Sequence, residues 1–161
     1  MDWEALAAAA EVVGAVAVVV SLIYVAVQIR QANQLSRANT FQNVNNQWSN
    51  IWAMLANSAE LSELHRKIKL GEYLNLEDFE RYSAFLMSYL AWLEDLYIQQ
   101  RSGLFAVELA GKDAIEFMAP QFEPFLNSPQ VREWLAGAGK AGFSPDYYST
   151  LITTLSENRA R

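Results

Sequence analysis

The stretch Ala5–Ile29, ALAAAAEVVGAVAVVVSLIYVAVQI, decides how the rest of the chain is read. Its one charge is Glu11, and the eighteen residues Val12–Ile29 carry none. At a helical rise of about 1.5 Å per residue they cover roughly 27 Å, close to the ~30 Å of a bilayer's hydrocarbon. No proline interrupts the run, and a helix satisfies its own backbone in lipid, so the valines are no obstacle there. The segment predicts a transmembrane helix. A cleavable signal peptide wants a basic start and a polar cleavage region. Here the chain opens Met1-Asp2-Trp3-Glu4, and Tyr24–Arg30 runs straight into helix-favouring sequence. A buried soluble helix would need a core able to cover valine on all sides.

The flanks set an expected orientation. Acid and no Lys or Arg precede the span, whereas Arg30 and Arg37 follow it. The positive-inside rule then puts a short N-terminus outside and the C-terminal part in the cytoplasm. Trp3 and Tyr24 suit the two headgroup levels. A carboxylate at mid-bilayer costs roughly 2.5–3.5 kcal/mol, so the favoured register holds Glu11 at the outer interface. Along the helix Ala7, Ala10, Gly14, Ala17 and Ser21 follow at spacings of three and four, and Tyr24 and Gln28 continue the line. Small residues allow close helix approach, so Ala7, Ala10, Gly14, Ala17, Ser21 and Gln28 form a candidate oligomer interface. Glu11, Ser21 and Gln28 are the candidates for a polar contact or pore lining.

Past Arg30 the helical period persists. Leu35, Ala38, Phe41, Val44, Trp48, Ile51, Trp52 and Leu55 recur three or four apart, without Gly or Pro. One helix from about Trp3 to Ala56 is expected, with residues 1–30 as the span and 31–57 as a juxtamembrane stem. The stem's polar face is built of amides, among them Gln31, Asn33, Gln34, Asn39, Gln42, Asn43 and Asn46. Amides without charge suit hydrogen bonding between subunits or a wet channel, and equally a neutral surface.

The run Leu22-Ile23-Tyr24-Val25-Ala26-Val27-Gln28-Ile29-Arg30-Gln31 resembles the entry segment of small, uncharacterised bacterial membrane proteins with one N-terminal membrane helix and a helical domain. Trp92–Leu104, WLEDLYIQQRSGL, is similar to that family's middle helix and following turn. Ala32 and Asn33 stand where the family pattern has Asn then Thr. The resemblance implies a bacterial inner-membrane setting and no particular activity.

Residues 58–161 read as a small helical bundle. Ser58 caps a helix from about Ala59 to Leu70, and Gly71 ends it. Asn75 or Leu76 opens the next, lined by Phe79, Tyr82, Leu86, Tyr89, Leu93 and Leu96 and stopped at Gly103. A third is expected from about Ala106 to Met118, followed by Pro120 and Pro124. Ser128 and Pro129 cap and start a short helix to Leu135, Gly137–Gly142 is a flexible turn, and Ser144-Pro145-Asp146 begins the last helix to about Asn158. Nothing alternates as a strand does. The fold class is all-α: one long N-terminal transmembrane helix continuing into a cytoplasmic stem, then the bundle.

The 161 residues include no cysteine and one histidine, with 12 Lys and Arg against 18 Asp and Glu. That composition excludes disulfides, zinc–thiolate sites and thiol nucleophiles. A net charge of −6 with scattered cations argues against nucleic acid. Glu60, Glu63 and His65 lack the Glu-x-x-His pattern of di-iron bundles, and His65 with Arg66, Lys67 and Lys69 reads as a solvated basic face. Glu94, inside an aromatic helix, is expected to be a structural, partly buried acid that accepts from Tyr or Trp and holds a turn. No nucleophile elbow, phosphate loop, dinucleotide fingerprint or zincin motif is present, so no catalytic, cofactor or metal residue is expected. The functional expectation is a homo-oligomeric structural or scaffold protein contacting lipid and copies of itself. A pore lined by the N-terminal helix and an accessory subunit of a larger membrane complex are the alternatives.

Overall fold

Without a helix breaker between Ala15 and Ala59, the first helix, α1, runs unbroken over Trp3–Ala56. The computed structural model describes residues 2–103 and 113–158, the side chains of Ala5, Leu6 and Asn158 excepted. Further along are α2 (Ala59–Lys69), α3 (Leu76–Arg101), α4 (Ala114–Leu126), α5 (Pro129–Ala136), a 3₁₀ turn (Ala138–Gly142) and α6 (Pro145–Asn158). No strand occurs among the described residues, and the fold is all-helical: one long apolar N-terminal helix followed by a bundle.

The chain divides into two compact units, Met1–Asn39 and Thr40–Arg161. The last four to five turns of α1 therefore belong to the bundle, and the boundary falls inside the stretch expected to be a separate stem. Val44, Ile51 and Leu55 are buried, and Trp48 and Trp52 pack against the core beside them. The Trp48 ring lies 4.6 Å from that of Trp92, and the Trp92 indole N–H donates to the Val44 carbonyl at 3.2 Å. The expected apolar stripe of the stem is thus occupied by the chain's own bundle from Val44 onward.

Local signals set the helix ends. The Ser58 hydroxyl accepts from the Leu61 N–H, and Asn75 Oδ1 accepts from the Asp78 N–H, each filling an orphan donor of a first turn. Gly71 at φ +77° and Gly103 at φ +71° take the left-handed conformation that follows α2 and α3. Helix α3 is buried over a wider arc than its expected stripe, adding Phe85, Leu90, Trp92 and Tyr97. Aromatic side chains of α1, α2, α4 and α6 all reach it, so it is the central helix of the bundle.

Three expectations need correction. The third bundle helix begins at Ala114, capped by Asp113, and runs through both prolines to Leu126; the expected part from Ala106 to Lys112 lies outside the described residues. Pro120 and Pro124 deprive the Glu116 and Pro120 carbonyls of their intrahelical donors. Glu116, Pro120 and Pro124 form one exposed stripe, so those carbonyls face solvent while Ile115, Ala119, Phe122 and Leu126 stay in the core. Ser128 precedes α5 without a side-chain capping bond, and its buried hydroxyl has no partner among the described residues. The glycine-rich turn is a 3₁₀ helix, not a loose linker. Gly139 sits against Trp134, where a Cβ would come within 2.9 Å of the indole.

Candidate functional site

The N-terminal unit presents a helix long and apolar enough to cross a membrane. Its best eighteen-residue window has a mean hydropathy of 2.5, and none of that window is buried. Val13, Val16, Val19, Leu22 and Ile23 are each more than half exposed. Leaving such side chains in water forgoes about 1.5–3 kcal/mol apiece, a cost that a soluble helix avoids by packing.

Ala7, Ala10, Gly14, Ala17, Ser21 and Gln28 all lie on this exposed part of α1. A Cβ built on Gly14 meets nothing within 4 Å, so the glycine answers to no packing need inside one chain. The Ser21 hydroxyl donates to the Ala17 carbonyl at 2.8 Å, and its proton is thereby spent within its own helix. Glu11 is exposed and joins no ion pair among the described residues. The amide face is exposed throughout Gln31–Asn50.

In the bundle, Glu94 is half-buried and its Oε1 accepts from the Ser144 N–H at 2.7 Å. The donor is backbone, not the Tyr or Trp expected. Ser144 precedes the proline that starts α6, so the carboxylate holds the junction between the 3₁₀ turn and α6. The Tyr147 hydroxyl, one turn away, donates to the Leu90 carbonyl at 2.9 Å. Burial and then the Glu94 charge push that phenol well above its usual range.

His65 overturns its expectation as part of a solvated basic face. It is buried, its Nδ1 lies 2.8 Å from the Tyr82 hydroxyl, and the Trp52, Phe85 and Phe125 rings surround it. Burial, and secondarily the Lys69 charge, push its pKa down to about 4. The neighbouring cations do face outward, with Arg66 paired to Glu63 on its own helix. The signal was in the spacing: Leu61, Leu64 and Ile68 place His65 on the apolar face of α2.

No group of three or more His, Asp or Glu side chains is placed to hold a metal among the described residues. A cleft of about 830 Å³ is bordered by Lys69, Arg132, Glu123 and Glu133. Cations and carboxylates balance there, so it offers no net field to a charged ligand. Comparison of this chain with protein-family models, curated proteins and solved structures finds no match.

Proposed function

We propose that the chain is a homo-oligomeric, single-pass membrane protein with a structural or scaffold role. In this reading Val12–Ile29 crosses a bacterial inner membrane, the short N-terminus lies outside and the bundle lies in the cytoplasm. One observation carries the reading: an eighteen-residue window of hydropathy 2.5 stands wholly unburied in a helix whose other end is packed into a bundle. A soluble core helix would be covered. A cleaved leader would be separable from the domain behind it, whereas α1 continues without a break to Ala56. Arg30 and Arg37 supply the inner-side charge, and the family resemblance of Leu22–Gln31 supports the bacterial setting.

Self-association rests on the stripe Ala7, Ala10, Gly14, Ala17, Ser21 and Gln28, a close-approach face exposed among the described residues. The test is the native mass of the detergent-solubilised protein. Gly14→Leu alters nothing inside one chain, because its surroundings are empty. It is expected to shift the mass from a defined multimer toward the monomer. A wild-type monomer removes the oligomer, and extraction of the chain by alkaline carbonate removes the membrane anchor as well.

A further inference from the structure

We propose that a cleft at the C-terminal end of α3 seats the headgroup of a zwitterionic phospholipid; the inference rests on the membrane reading above. Within the bundle, α3 runs antiparallel to the last turns of α1. Tyr89 lies beside Trp48, and Trp92, one turn further along α3, bonds back to Val44. Tyr97, Ile98 and Arg101 therefore lie toward the bundle end at which the chain enters at Thr40. Only the ten residues Arg30–Asn39 separate that entry from Ile29. Even fully extended they reach about 35 Å, and as helix about 15 Å.

That end carries a cleft of about 560 Å³ lined by Tyr97, Ile98, Arg101, Ser102, Pro145 and Asp146. The Arg101 guanidinium donates to the Tyr97 hydroxyl and lies 5.4 Å from the centre of the same ring. Tyr97 is itself within 3.5 Å of the Thr150 hydroxyl, so the cation is held in place. Arg101 makes no ion pair among the described residues, and Asp146 across the cleft makes none either. Two opposite charges in one cleft, unjoined, match a phosphate and an ammonium carried on one headgroup. Ile98, half exposed, and Pro145 give the apolar wall that the glycerol end requires. A purely anionic headgroup would meet Asp146 and a chain of net charge −6.

The experiment uses the full chain in nanodiscs of phosphatidylethanolamine or of phosphatidylglycerol, released for native mass spectrometry. Retained phosphatidylethanolamine is expected to exceed phosphatidylglycerol at least fivefold. Arg101→Gln and Asp146→Asn are each expected to cut it about fivefold, while Arg101→Lys restores part of it. Circular dichroism checks that each variant folds. Retention that ignores both variants, or that favours phosphatidylglycerol, overturns the proposal. Carbonate extraction of the same chain separates the two readings: a chain that stays in the membrane but shows no such retention loses only the headgroup site, whereas an extractable chain loses both.

Discussion

The two ends of α1 obey the same helical period and meet opposite fates. Before Asn39 the apolar side chains stand exposed on every side; after Thr40 an equally apolar stripe is buried under α3 and its neighbours. The difference lies in what flanks the apolar residues. Val44, Ile51 and Leu55 alternate with amides and serines that keep one side wet, which is the pattern of a helix laid on a core. Val12–Ile29 is apolar all round, and no single face of a small bundle can cover such a helix. One continuous helix therefore carries two kinds of stabilisation, solvent-dependent at one end and packing-dependent at the other.

Substitutions that touch one end only should break this division most visibly. On the membrane reading proposed above, Val16→Arg with Val19→Arg puts two charges inside the apolar run, at most about 5–7 kcal/mol against insertion. The expected outcome is loss of the carbonate-resistant fraction with the bundle's near-ultraviolet dichroism unchanged. Ile51→Ala should do the reverse, costing about 2–5 kcal/mol of bundle stability and leaving membrane retention intact. If Val19→Ala destabilised the bundle as Ile51→Ala does, the two ends would not be independent.

Acid sharpens the contrast from inside the bundle. His65 is neutral where it is buried, with a folded pKa near 4 against an ordinary 6.5. Between those values the unfolded chain binds the extra proton, so stability is complete above pH 6.5 and falls on acidification, levelling below about pH 4. The shift corresponds to about 3 kcal/mol over that window. Denaturant titrations from pH 7 to 4 should show that slope, and His65→Phe should flatten it relative to wild type. A slope unchanged by the substitution would assign the acid sensitivity to other groups.

What the sequence made legible follows the same boundary. The starts of α2, α3 and α6 and the ends of α2 and α3 are readable because each has a local chemical cause, such as the Ser58 and Asn75 caps, Pro145, or the glycines at 71 and 103. The path of α4 is not, because whether Pro120 and Pro124 end a helix depends on which side of it faces water. His65 is hidden for a related reason: the adjacent charges of Arg66, Lys67 and Lys69 mask the apolar spacing of Leu61, Leu64 and Ile68. The cleft at Arg101 joins α3 to α6 across more than forty residues, a proximity that periodicity does not report.

Glu94 gives the smallest effect and the finest test of how the bundle closes. Its carboxylate accepts from the Ser144 N–H, the last free donor before a proline that has none of its own. Removing the acceptor by Glu94→Ala leaves that part-buried N–H unpaired, at a cost of about 1–3 kcal/mol. Glu94→Gln keeps an acceptor of the same reach and loses only the charge, so it should cost less than about 1 kcal/mol. It should also lower the Tyr147 ionisation range, because the Glu94 charge helps to raise it. Ultraviolet titration of the phenols, read beside thermal unfolding of the two variants, checks both parts. Equal destabilisation by Ala and Gln would mean that the negative charge, and not the hydrogen bond, holds the start of α6.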